Sequence, residues 1–166
     1  NGSDGILLNG ANDSTLSDNT LRGNAKNGVT VDVGTGNAVL KNSIFQNGTN
    51  GISLQNNGNA DQPTPALLTA RFDAADGRIV VTGSVAAYPD YHGRYQIQVF
   101  FSPLGDAPNV QARQFLGSQT DVAAGDFSVT VPGVSGMVGN FVTVTATPVT
   151  GPQNTSELSN PASIGT

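Results

Sequence analysis

Asn24-Ala25-Lys26-Asn27-Gly28-Val29-Thr30-Val31 lies midway between two near copies of itself. Asn1-Gly2-Ser3-Asp4-Gly5-Ile6-Leu7-Leu8 stands 23 residues before it, and Asn47-Gly48-Thr49-Asn50-Gly51-Ile52-Ser53-Leu54 stands 23 residues after it. The spacing also holds between the copies, where Leu16 aligns with Val39, Asn19 with Asn42 and Leu21 with Ile44. A fixed period without insertions marks a stacked repeat. Within each unit apolar residues alternate, as in Val29-x-Val31-x-Val33, which is strand periodicity. The spacing therefore predicts coils of a parallel β-solenoid. Gly5, Gly28 and Gly51 open the first strand of each coil. Asn19 with Asn42, and Asn24 with Asn47, stand at equivalent turns, where stacked amides can bond along the stack and Asn tolerates a left-handed backbone.

Working outward, strands are expected at Gly5–Leu8, Ser14–Ser17 and Thr20–Arg22, then at Gly28–Val33, Ala38–Lys41 and Ser43–Phe45, and finally at Gly51–Leu54. The inward rows would be Ile6/Val29/Ile52, Leu8/Val31/Leu54, Leu16/Val39 and Leu21/Ile44. Two coils and a strand make a stack only about 10 Å tall, short of the three or more units that repeat arrays need. Its N-terminal edge would also be unpaired. The expectation is that further β-helix coils, or another copy of the same chain, cover that edge.

Residues 56–66 break the period with turn residues and prolines. Seven short alternating strands then follow: Leu67–Phe72, Arg78–Val85, Arg94–Phe101, Gln114–Thr120, Phe127–Val131, Phe141–Thr147 and Thr155–Leu158. Seven strands in about a hundred residues, with turns at Asp76-Gly77, Leu104-Gly105 and Gly125-Asp126, suggest an immunoglobulin-like sandwich. The reading is thus all-β: residues 1–58 as β-helix coils, 59–66 as a linker and 67–166 as the sandwich.

The residues of the repeat resemble the parallel β-helix of secreted bacterial proteins and of the pectate-lyase-like enzymes. The resemblance, with the rule for parallel crossovers, implies a right-handed coil. Phe115–Ser118, Phe127–Pro132, Phe141–Thr147 and Asn154–Ser159 resemble the immunoglobulin-like module that follows such repeats in bacterial secreted and surface proteins. That likeness implies an extracellular structural or adhesive role.

Composition agrees. The chain of 166 residues has 11% charged residues, 21 Gly, no Cys, and only two Lys and one Glu. A net charge of -5 with no basic cluster argues against nucleic acid as a partner. No run approaches the roughly 18 apolar residues of a membrane helix, so membrane insertion is not expected. An acidic, cysteine-free β chain suits the outside of a bacterial cell.

No catalytic constellation emerges. Asp4, Asp18 and Asp32 lie in the coils without two sharing a row, and lone turn aspartates usually cap backbone. Asp73 and Asp76 are the calcium candidates, in a stretch that reads equally as a hairpin turn. Tyr88, Tyr91 and His92 form an aromatic loop that could contact a glycan or a partner protein, or could simply cover the sandwich end. Glu157 reads as an outward-facing charge on the last strand. The expected function is a non-catalytic structural or adhesive module of a secreted or surface protein. Copies would stack head to tail through β-helix edges into a fibre. The alternative is the glycan-binding tail of a polysaccharide-active enzyme.

Overall fold

A computed structural model describes residues 1–87, 93–106 and 110–166. Strands β1 (Ile6–Asn9), β2 (Thr15–Ser17) and β3 (Thr20–Arg22) form the first coil. β4 (Val29–Asp32), β5 (Ala38–Leu40) and β6 (Ser43–Phe45) form the second, and β7 (Ile52–Gln55) opens the third. Every pairing between coils is parallel, with Ile6 on Val29, Leu16 on Val39, Leu21 on Ile44 and Val29 on Ile52. The register is the sequence period itself.

Alternation turns one apolar residue in two toward the lumen. Val29, Val31, Val39, Ile44 and Ile52 are buried there, flanked by the partly buried Leu8, Leu16, Leu21 and Leu54. At the corners, Asn42 Oδ1 accepts from Asn19 N at 2.9 Å while its amide donates to Leu16 O at 2.8 Å. Asn47 does the same for Asn24 N and Leu21 O. The left-handed residue at each corner is the one before the asparagine. Asp18 and Lys41 (φ 58 and 56°) precede Asn19 and Asn42, and Gly23 and Gln46 (φ 65 and 55°) precede Asn24 and Asn47. The asparagines thus serve through their amides, not through the left-handed backbone expected of them.

Connecting residues 59–66 begin seated on the stack. Within the turn Gly58–Asp61, Asn59 is fully buried; its Oδ1 accepts from Asn37 N and its amide donates to Asn37 O.

The second unit comprises β8 (Ala66–Asp73), β9 (Arg78–Val85), β10 (Tyr95–Ser102), β11 (Gln114–Val122), β12 (Gly125–Pro132), β13 (Phe141–Pro148) and β14 (Ala162–Gly165). Hydrogen bonds join them in the order β11-β10-β13-β14-β8-β9-β12. All neighbours are antiparallel except β14 and β8. β14 bonds to β13 on one side and β8 on the other, through two residue pairs each. The sheet curls over this short bridge until its end strands, β11 and β12, meet in a nearly closed barrel. Ile79, Val81, Tyr95, Ile97, Val129 and Val144 fill it.

Six of the expected strands form; the seventh does not. Thr155–Leu158 is not a strand, and the chain's last strand is Ala162–Gly165. Ser156 N and Ser159 N do reach Ala146 O and Val144 O on β13. The return bonds from Ala146 N and Val144 N, however, go to the Ser156 and Ser159 hydroxyls at 3.0 Å. Local side-chain acceptors replace the carbonyls that would make a ladder.

Candidate functional site

A coil stack ends in a row of unpaired backbone groups, and buried donors left without acceptors are costly. The downstream edge of this stack is engaged by the second unit at six amides. Gly36 N donates to Asn154 Oδ1 at 2.6 Å, Val39 N to Thr155 Oγ1 at 2.9 Å and Lys41 N to Gln98 Oε1 at 2.8 Å. Ile44 N donates to Ala112 O at 2.8 Å, and Ile44 O receives Ala112 N in return. Gly51 N donates to Val110 O at 2.7 Å and Leu54 N to Glu157 Oε1 at 2.8 Å.

These acceptors stand where another coil would stand. Gly5 N takes Asn27 O, Gly28 N takes Asn50 O, and Gly51 N takes Val110 O. Likewise Asp18 N takes Leu40 O, while Lys41 N, one coil on, takes the Gln98 amide oxygen. The asparagine columns also run on: Asn47 Nδ2 reaches Gln111 Oε1 at 3.3 Å, and Asn59 Nδ2 reaches Thr155 O at 2.9 Å.

Apolar contact follows the same line. Phe100, Ala112 and Leu158 of the second unit join the coil lumen in one buried cluster. Gly51 packs closely there: a Cβ would stand 2.6 Å from Leu158 Cδ1 and 3.1 Å from Val110 O. Thr143 and Thr145 are buried on β13, whose outer face turns to the stack; Thr143 Oγ1 donates to Gln111 O at 2.9 Å.

At one margin, Arg113 makes a two-pronged bond to the buried Asp106 (2.6 and 2.7 Å) and lies 4.2 Å over the Phe45 ring. The bond to Asp106 raises the Arg113 pKa above its ordinary value.

Residues 1–64 match the family described as right handed beta helix region. No curated protein matches the chain. The family match covers the coils and the turn behind them and ends before β8, so the sealing unit lies outside it.

The downstream edge of the right-handed β-helix is therefore sealed by the second unit. Head-to-tail stacking needs a free edge at each end, and the downstream one is occupied by residues 110–112 and 154–157. The fibre expected from the repeat is corrected on that ground. Glu157 is corrected as well, since its carboxylate turns inward to cap Leu54 N.

Other anticipated residues take local roles. Asp4 Oδ1 accepts Asn27 N at 2.9 Å, and Asp32 Oδ1 accepts the Asn56 amide at 2.7 Å. Asp73 Oδ1 accepts Ala75 N at 3.0 Å within its own hairpin turn, and Oδ2 lies 3.7 Å from Arg71. No cluster of three or more His, Cys, Asp or Glu occurs among the described residues. Tyr88, Tyr91 and His92 lie outside the described residues. Sequence reasoning missed Gln98, Gln111, Asn154 and Thr155. The one available signal was a buried-looking strand, Tyr95–Ser102, with Gln98 in its middle.

Proposed function

We propose that this chain is a non-catalytic structural module: the closing end of a right-handed β-helix together with its end cap. The β8–β14 unit is the cap. The observation that carries this reading is the set of six edge amides received by cap oxygens. Strand connectivity supports an immunoglobulin-like description of the cap. β8, β9 and β12 form one antiparallel group, and β11, β10, β13 and β14 the other, linked by the parallel β14–β8 pair. The pairing of β11 with β10 departs from the arrangement in which the fourth strand joins the first sheet. An acidic, cysteine-free composition and the β-helix match support a place outside a bacterial cell, as part of a secreted or surface protein that presents or spaces adhesive elements.

Amide hydrogen exchange tests the reading. Val39, Ile44, Gly51 and Leu54 should exchange as slowly as Val29 in the middle of the stack. In Thr155→Val, an isosteric change that removes the acceptor, Val39 should lose its protection. Fast exchange at all four amides in the unaltered chain would refute the end-cap function. New reducing or unsaturated ends after incubation with pectin or alginate would refute the non-catalytic part.

A further inference from the structure

A small cavity where the connection leaves the coils is lined by Leu54, Asp61, Gln62, Pro63, Thr64 and Glu157, and its volume is about 190 Å³. Two carboxylates line it, and among the described residues no Lys or Arg does. Its walls are fastened together. Asn59 is fully buried and donates its amide to Thr155 O at 2.9 Å, two residues before Glu157. Gln62 N donates to Asn59 O at 3.0 Å, which holds Asp61 and Gln62 beside the same cap segment. Glu157 uses Oε1 to accept Leu54 N at 2.8 Å. Its Oε2, the exposed Asp61 carboxylate and the Thr64 hydroxyl have no hydrogen bond among the described residues. Gln62 is the independent sign of a ligand. It is only 3% exposed, yet its buried Nε2 has no partner, and no bond to its Oε1 occurs among the described residues. A buried carboxamide with neither end bound is costly.

Going beyond the end-cap reading, we propose that this cavity is a calcium site. Glu157 Oε2, the Asp61 carboxylate, the Gln62 amide oxygen and the Thr64 hydroxyl are its protein ligands, and water completes the shell. The donors select the ion. Two carboxylates in one small cavity repel each other, and a cation between them removes that repulsion. Every donor is an oxygen, the set a hard cation takes, and no His or Cys lines the cavity to favour zinc. Calcium accepts six to eight ligands in irregular geometry, as a turn supplies them, whereas magnesium demands a near-ideal octahedron. The Gln62 carboxamide gains the partner it lacks, because with both ends free it can turn its oxygen to the metal. Asp73 offers no such site: its carboxylate already accepts Ala75 N and lies beside Arg71. Only two charged ligands place the affinity in the weak class, with a Kd of about 0.1–1 mM. Through Glu157 the ion joins the connection to the cap and to Leu54 of β7, so calcium tightens the seal.

Titrating calcium chloride into the isotope-labelled 166-residue chain, at constant ionic strength, tests the site by NMR. The backbone amides of Asp61, Gln62, Thr64 and Glu157 and the Gln62 side-chain amide should shift together and saturate with a Kd of about 0.1–1 mM. Asp61→Asn and Glu157→Gln should each weaken binding at least about tenfold, while Asp73→Asn leaves it unchanged. The glutamine keeps a carbonyl oxygen for Leu54 N, so the seal survives that change. No saturable shift up to about 10 mM calcium would overturn the proposal. So would an equal response to magnesium, shifts centred on Asp73 and Asp76, or full binding by both site variants. If either variant misfolds, seen as lost protection at Val29, the unaltered chain decides: Leu54 N should exchange more slowly in calcium than in a chelator, and equal rates overturn the site. Fast exchange of Val39, Ile44 and Gly51 in the calcium-free chain is a different result, and it removes the end-cap reading instead.

Discussion

Replacing Asn47 by alanine tests how the stack and cap are joined. Asn47 is 2% exposed and touches three layers. Its Oδ1 receives Asn24 N at 3.2 Å and the Asn24 amide at 2.8 Å, and its own amide donates to Leu21 O at 3.0 Å and Gln111 Oε1 at 3.3 Å. Each bond contributes about 0.5–1.5 kcal/mol net, and a buried donor left without an acceptor costs about 1–3 kcal/mol. An expected loss of about 3 kcal/mol follows from those bond values. For a chain of this size it corresponds to a fall in Tm of about 6–12 °C. Reversible urea and thermal unfolding would measure it. The internal standard is Asn12→Ala, where an exposed side chain loses only the bond from Thr35 N at 2.8 Å, expected to cost about 0.5 kcal/mol. An Asn47→Ala variant no less stable than Asn12→Ala would refute the idea that corner asparagines tie the coils together.

Gly28→Ala places a Cβ 2.2 Å from Ile44 Cγ2 and 2.8 Å from Gly51 O, so overpacking should cost about 1–3 kcal/mol in urea unfolding. Glu157→Ala should cost about 1–2 kcal/mol and raise exchange at Leu54 N selectively, since that amide loses its acceptor. Arg113→Ala strips the buried Asp106 of its two-pronged partner and should cost about 2 kcal/mol. The Arg113 pKa is raised above its ordinary value, so the stabilisation from its charge is fully present below the unfolded pKa and lost only as pH climbs through the higher folded one. Alkaline titration of unfolding to about pH 10 should therefore show no loss traceable to this pair.

The solenoid was legible because its physics repeats. Val29, Val31, Val39 and Ile44 are apolar at fixed spacing, and the 23-residue offset became the register of every coil pair. Six strands of the second unit were legible from alternation alone. The interface between the units was not, because a polar outer face reads as solvent-facing. Gln98 on β10, with Thr143 and Thr145 on β13, alternates with Ile97, Val99, Val142 and Val144 as surface residues would. Each is at most 2% exposed, because the second unit packs this face on the coil edge, where Gln98 Oε1 takes Lys41 N and Thr143 Oγ1 donates to Gln111 O. Thr155–Leu158 misled for a related reason: its alternation is that of a strand, but its hydroxyls take up the bonds that carbonyls would have made.

The chemistry of those oxygens explains why the stack stops. A strand laid on β7 would satisfy its amides and at once expose an equivalent row on its own far side, so a backbone cap only moves the problem outward. Side chains break that regress. Asn154, Thr155, Gln98 and Glu157 each take one edge amide through a side-chain oxygen rather than a backbone carbonyl. Among the described residues, strand-like exchange survives at one place, the reciprocal pair of Ile44 with Ala112, as a single bridge. The acceptors come from three separate segments, around residues 98, 110–112 and 154–157, so the cap must be folded before it can cover the edge. This makes the sealing specific: one amide is matched at a time, by groups that offer no template for another chain.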